Sequence, residues 1–284
     1  MHEPPYFCAL IQDIFPNFID NHYYPDQAFE DNHYVLCYQQ GAFVLRTSAS
    51  GRLELPQKID FIGYSSARFL FQFNGTPCFL LTEGVPSTQA ALSLQAIASY
   101  RTLKPIELAW VGLVGSHLLN WYAHNRFCGK CGAEMAHKSD ERAMQCPTCG
   151  NIVYPRISPA VIVAITSGDS ILLATNSSIP ERRYSLIAGF VEVGETLEEA
   201  VKREVKEEVG LDVRNIRYSN SQPWPLTGSL MIGFTAESDL DQSIEIDTNE
   251  LLEAQWFKRG ALPNHSLSLS IAGTLIDRFE EGLL

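Results

Sequence analysis

Residues 189–211, GFVEVGETLEEAVKREVKEEVGL, decide how this chain is read. Six glutamates lie between Gly194 and Gly210. Glu204, Glu207 and Glu208 stand at i, i+3 and i+4, so a helix gathers all three on one face. Three like charges there destabilise a helix unless a cation neutralises them. Hard divalent cations do so, and Mg²⁺ characteristically takes one or two carboxylates together with substrate phosphates. The flanks specify the helix. Thr196 and Glu199 form a capping box, residues 197–209 contain neither Gly nor Pro, and Gly210 suits the left-handed position past the end. A solvated acidic face is the plain reading of such a segment; a metal-loaded helix aimed at a phosphate is the specific one.

The order of the residues separates the two readings. Gly189, five residues, Glu195, seven residues, Arg203-Glu204-Val205, one residue, Glu207-Glu208, one residue and Gly210-Leu211 match the Nudix box at each defined position. The chain resembles the Nudix hydrolases, which cleave a nucleoside diphosphate linked to another moiety.

With 284 residues and 45% hydrophobic content the chain has room for two domains with sizeable cores. Its net charge of −12 argues against sequence-independent nucleic-acid binding, which needs a basic surface. A pyrophosphate can still bind where metal ions, local arginines or backbone N–H groups neutralise it. No apolar run reaches membrane-spanning length, and Met1-His2-Glu3-Pro4-Pro5 lacks the features of a signal peptide, so a cytoplasmic protein is expected.

Seven cysteines make a poor disulfide framework. Four of them form Cys128-x₂-Cys131 and Cys146-x₂-Cys149, a spacing that lets each pair grip one side of a tetrahedral zinc ion. Gly129, Gly132 and Gly150 permit the tight turns such knuckles need. An all-thiolate set is closed, so one structural zinc per chain is expected there and no catalysis. Cys8, Cys37 and Cys78 read as ordinary buried thiols.

Three segments follow: an N-terminal α+β domain over 1–123, a zinc ribbon over 124–152 and an α/β domain over 153–284. In the first, β-like runs at 34–38, 42–46, 59–64, 69–73 and 78–81 precede helical patterns at 88–99 and 106–124, with no catalytic constellation. In the third, 161–165 and 171–175 read as a hairpin through Ser167-Gly168-Asp169. Strands at 185–191, 213–219, 230–236 and 254–258, a short helix from Thr248 and another at 269–281 complete it. Sheet flanked by helices gives an α/β (α+β) sandwich with the acidic helix on one face.

A second string, SQPWPLTGSLM at 221–231, suits a rigid wall for a planar ring, with Gln222 and Ser229 offering hydrogen bonds. A bulged edge strand with Trp224 in the core is the plain alternative. In company with the box and the ribbon, the string is similar to the motif of the NADH pyrophosphatase (NudC-type) subfamily, from which it departs at Leu226 and Thr227, where the family carries Phe and Pro.

That resemblance, running from about Trp121 to the C-terminus, implies roles. Glu204, Glu208 and Glu250 would bind two or three Mg²⁺ or Mn²⁺ ions with the Ala188 carbonyl, and Glu207 would be a third box ligand or the base. Arg203 would orient the carboxylates, with Glu195 structural or a distant support. Phe190 would stack on nicotinamide, and Gln222, Pro223, Trp224, Pro225, Leu226, Thr227, Gly228 and Ser229 would form the dinucleotide wall. Glu141 and Tyr154 would complete the pocket across a homodimer interface, and Ala272 would line it. Core roles for Phe190, Tyr154 and Ala272 stand equally open. The implied activity is hydrolysis of NAD(H) to NMN(H) and AMP, with removal of NAD caps from RNA. The alternatives are a Nudix hydrolase of ADP-ribose or a related compound, and a zinc-ribbon nucleic-acid-binding protein with an inactive Nudix domain. Arg126, Lys130, Lys138 and Arg142 are few for the last, though they suit steering an RNA end.

Overall fold

The strand Ser158–Ser167 organises the C-terminal half because its six central residues are buried on both faces. Such a run belongs inside a sheet covered on two sides. It pairs in parallel with Ser229–Glu237 and antiparallel with Ser170–Thr175 and Ile187–Phe190; Arg214–Trp224 and Glu253–Lys258 form the outer strands. This computed structural model describes residues 10–61, 63–64, 67–81, 91–176, 183–266 and 269–284. Among them are three α-helices: α1 (Ile106–His124), α2 (Leu197–Val209) and α3 (Ile271–Glu280).

Successive strand residues point to opposite faces, and the two cores follow that alternation. Val161, Val163 and Ile165 pack with Ala200, Val201, Val205 and Val209 of α2. Ile162 and Ala164 pack with Leu275, Ile276 and Phe279 of α3. The result is a three-layer α/β/α arrangement. Residues 10–13 belong to this unit rather than to the N-terminal half: Leu10 lies in the α3 core, and Ile11 donates its N–H to the Leu269 carbonyl.

Ile14–Arg156, with Pro225–Thr227, make the second compact unit. One sheet runs Ile19–Asp20, Ala67–Phe73, Thr76–Leu81, Tyr34–Leu36, and another is built on Ala42–Thr47. On α1, a Cβ at Gly112 would meet the Phe43 ring at 2.7 Å, so glycine permits this close approach. The ribbon contributes three short strands, Ala136–His137, Met144–Gln145 and Ile152–Val153.

Three expected elements differ. The helix at 88–99 is instead a strand, Leu92–Ala96, followed by a 3₁₀ turn at Ile97–Arg101; residues 88–90 lie outside the described residues. Leu92 and Leu94 alternate with Ser93 and Gln95, and pairing with Ala42–Arg46 overrides the helical propensity. The strand at 59–64 is replaced by a 3₁₀ turn, Lys58–Asp60, capped by Asp60 on the Gln57 N–H at 2.8 Å. The helix from Thr248 is a single turn. Asp247 captures the Asn249 N–H with its side chain and the Glu250 and Leu251 N–H groups with its carbonyl, and Leu252 already bonds to Thr175 of the sheet. Cys37 and Cys78 are buried; Cys8 and residues 1–5 lie outside the described residues. Among the described residues no helix is long and apolar enough to cross a membrane.

Candidate active site

α2 starts and stops where its sequence specifies. Thr196 Oγ1 accepts the Glu199 N–H at 3.2 Å, the Glu199 carboxylate accepts the Thr196 N–H at 2.8 Å, and Gly210 closes the helix at φ 74°. Burial of Ala200, Val201, Val205 and Val209 fixes its rotation. Glu204 and Glu208 are thereby turned toward the strand Ile187–Phe190.

That strand meets α2 with open backbone groups. In an antiparallel ladder a residue's N–H and C=O point to the same edge, and bonded residues alternate with unbonded ones. Val191 bonds to Pro159, so Ala188 and Phe190 face away from the ladder. The Ala188 N–H accordingly donates to the Glu208 carboxylate, and the Phe190 carbonyl accepts from Arg203 Nη2 at 2.9 Å. The Ala188 carbonyl faces the same edge as its N–H. Between them, a Cβ on Gly189 would lie 2.0 Å from Glu204 Cδ, so glycine is what lets the carboxylate rest on this strand.

Arg203 joins three carboxylates. Its Nε and Nη2 bind the two oxygens of Glu195 at 2.6 and 2.9 Å, and its Nη1 binds Glu204 at 2.8 Å and Glu207 at 3.0 Å. The Arg203 contact, helped by the Glu192 N–H, holds the Glu195 carboxyl down to about 2. Glu195 therefore serves as an anchor for Arg203.

Among the described residues, Glu208 has no such cation. It is only 6% exposed. Burial, then the charges of Glu204 and Glu250, push its carboxyl up to about 8. Burial also raises Glu204, against the opposing pull of Arg203. Glu250, exposed, is carried in by the segment 245–247, whose Glu245 and Asp247 N–H groups bond to the Val209 and Glu208 carbonyls at the end of α2. Asp247 adds its own charge to the field at Glu208. Sequence reading missed this residue, although it stands three positions before Glu250. A buried carboxyl facing other carboxylates fits a hard divalent cation with oxygen ligands. Among the described residues, only the cysteines bring three or more donor atoms within 4.8 Å of one another; the carboxylates form a wider set.

The ribbon cysteines converge tightly. The sulfurs of Cys128, Cys131, Cys146 and Cys149 all lie within 4.8 Å of one another, with Cys128–Cys149 at 3.7 Å and Cys131–Cys146 at 3.5 Å. Tetrahedral Zn–S bonds of about 2.3 Å place sulfurs about 3.8 Å apart. Gly132 and Gly150, at φ 77° and 74°, donate to the Cys128 and Cys146 carbonyls and close the two knuckles. The cluster fits a structural zinc ion, with every ligand position taken by protein.

The expected substrate residues divide. Phe190 is 54% exposed beside the carboxylates. Gln222 is fully buried and its amide is committed inside the fold. It donates to Gln12 Oε1 and the Leu269 carbonyl, both at 3.1 Å, and accepts the Ile271 N–H at 2.8 Å. It anchors the start of α3 and offers no N–H to a ligand. Ala272 is likewise buried in the α3 core. Pro223 and the half-buried Trp224 end a strand, Trp224 pairing with the buried Ser229 beside Gly228, which turns at φ 69°. Pro225, Leu226 and Thr227 fall in the other unit, where Leu226 is 38% exposed. In that unit too, Tyr154 donates to Glu141 at 2.9 Å, and Lys138 bonds to both Asp140 and Glu141. Arg126 pairs with Glu134 and Arg142 is turned inward to the Leu70 and Asn21 carbonyls, which leaves little basic surface at the ribbon.

A family model described as NUDIX domain matches residues 156–277, and one described as NADH pyrophosphatase zinc ribbon domain matches residues 123–154. The chain is 49% identical over 159 residues to the NAD-capped RNA hydrolase NudC of Pseudomonas aeruginosa, covering 56% of this chain and 57% of that protein. It is 38% identical over 228 residues to the NAD-capped RNA hydrolase NudC of Stutzerimonas stutzeri, covering 80% of each. Among solved structures it is similar to a NUDIX hydrolase from Nitrosomonas europaea, at 27% identity and TM-score 0.48, covering 55% of this chain and 91% of that one. The chain thus spans 57% of the length of the first of these relatives and 80% of that of the second.

Proposed function

Because this chain belongs to the Nudix hydrolases, in the NADH pyrophosphatase branch that carries a zinc ribbon, we propose that it hydrolyses the pyrophosphate of NAD(H) to NMN(H) and AMP and removes NAD caps from RNA. The observation that carries the reading is Glu208, a buried carboxyl pushed up to about 8 beside Glu204 and Glu250 with no cationic partner among the described residues. Mg²⁺ or Mn²⁺, held by Glu204, Glu207, Glu208, Glu250 and the Ala188 carbonyl, would supply the charge that binds the pyrophosphate and acidifies the attacking water. Arg203 keeps Glu204 and Glu207 in place and remains protonated throughout. Water attacks one phosphorus, the bond from that phosphorus to the bridging oxygen breaks, and the water's proton passes to Glu207 or Glu208.

Phe190 offers a stacking face for the nicotinamide ring, and the strands ending at Trp224 and beginning at Ser229 shape the wall. Glu141 and Tyr154 are assigned to the pocket of a partner protomer in a homodimer.

The test is product analysis with Mg²⁺ or Mn²⁺ on NADH, NAD⁺, ADP-ribose and NAD-capped RNA. AMP with nicotinamide mononucleotide, fastest from NADH or the cap, supports the reading. Preferential cleavage of ADP-ribose favours the second reading, which Leu226 and Thr227 motivate. No cleavage of any substrate overturns both.

A further inference from the structure

Arg68 is a half-buried cation with no carboxylate near it among the described residues. It sits on the strand Ala67–Phe73, opposite Leu80, with its guanidinium over the Tyr122 ring at 4.2 Å from the ring centre. Among the described residues it has no carboxylate or carbonyl partner. In the same unit Arg142 gives its Nη2 to the Leu70 and Asn21 carbonyls, and Arg46 pairs with Glu54. Arg126 pairs with Glu134 at the protein surface. Partial burial lowers the Arg68 pKa, against the opposing pull of Tyr122 and Tyr23. Leaving donors of a charged group partly desolvated and unmatched costs free energy, and a bound anion removes that cost.

Arg68 lines a cavity of about 530 Å³. This lies within the range of about 300–1,000 Å³ usual for small-molecule sites. Leu80, Leu119, Met135 and Met144 add apolar lining, and the Arg126–Glu134 ion pair borders the same cavity. Methionine adapts to flat rings through its flexible, polarisable thioether. His137 stands beside Arg68, its ring 5.3 Å from that of Tyr122. Although one side of His137 is open to solvent, desolvation and the Arg68 charge hold its imidazole down to about 4, so it is neutral at neutral pH and can hydrogen-bond without adding charge.

We propose that this cavity binds a mononucleotide, its phosphate monoester on the Arg68 fork and its base against the Leu119, Met135 and Met144 wall. A planar fork with several N–H donors matches phosphate bidentately, and the apolar wall calls for a ring rather than a bare ion. The phosphate monoester can come from a free nucleotide or from the 5′ end of an RNA chain. The site lies wholly in the unit that carries the ribbon. It stands whether or not the diphosphatase reading holds.

Calorimetric titration of the zinc-loaded full chain, without added Mg²⁺ or Mn²⁺, tests it with AMP, adenosine, inorganic phosphate and a 5′-phosphorylated tetra-adenylate. AMP or the oligonucleotide is expected to bind saturably, adenosine and phosphate at least about tenfold more weakly. Preference for AMP assigns the site to free nucleotides; preference for the oligonucleotide assigns it to RNA ends. Arg68→Met should weaken binding at least about tenfold, the loss of one charge-assisted pair. Should that variant not fold, Ala123→Trp fills the cavity from an exposed position on α1 and should abolish binding. Unchanged affinity in the folded variant, adenosine binding as tightly as AMP, or no saturable binding by the parent chain would each overturn the proposal.

Discussion

Gly189 and Glu204 occupy one space: the Glu204 carboxylate lies where a side chain at position 189 would stand, 2.0 Å from a Cβ built there. The first and the central residues of the acidic motif are therefore a single packing unit. Gly189→Ala is expected to displace Glu204 and lower kcat for NADH by about 10²-fold, since a misplacement of about 1 Å can cost that much. Zinc content should not change. Near-normal turnover in a folded variant would show that the placement of Glu204 does not matter.

Glu208 sets a pH dependence. A carboxyl raised in the folded state, from 4.5 to about 8, contributes stability that is fully present below the unfolded value and is lost as pH rises through the folded one. Without divalent ions, the melting temperature should fall between about pH 5 and 8, and Glu208→Gln should flatten that fall while abolishing turnover. Mg²⁺ should restore stability at high pH only in the parent chain. Parallel melting curves for the two proteins would remove the basis for a cation at Glu208.

Gln222→Ala separates an anchoring role from substrate contact. It leaves the buried Ile271 N–H without its acceptor and removes one of the two donors to the Leu269 carbonyl, at a cost of about 2 kcal/mol. Denaturant midpoints should drop while the KM for NADH stays within about threefold. A large rise in KM at unchanged stability would return Gln222 to the substrate wall.

Cys149→Ser opens a site whose ligands are all supplied by protein. Zinc content should fall from one ion per chain toward zero and the ribbon should become protease-sensitive, because structural zinc contributes folding energy directly. Full zinc retention would show that Cys149 does not share an ion with the other three sulfurs, all within 4.8 Å of one another.

Local patterns were the legible part. The capping box at Thr196 and Glu199, the cap at Gly210 and the limits of α1 follow from interactions spanning at most a few residues, and the expected 106–124 helix is Ile106–His124. Two of the three failures share one cause, and the third, at 59–64, is a strand-like run captured by the Asp60 cap on Gln57. At 88–99 and at Thr248 a weak local helical preference yielded to a sheet partner, Val44 with Leu94 and Thr175 with Leu252. Neither partner is within reach of a local pattern.

The sequence by itself determined the acidic helix, its spacing of carboxylates, the paired cysteines and hence the family, because these are set by helical periodicity and ligand spacing along the chain. Only the tertiary structure decided that Ala188 turns its backbone toward Glu208, that Gln222 is spent on α3, and that Arg68 faces a cavity uncompensated. Whether a polar group is satisfied depends on partners dozens to hundreds of residues away, brought close only when the cores on both faces of the sheet have formed.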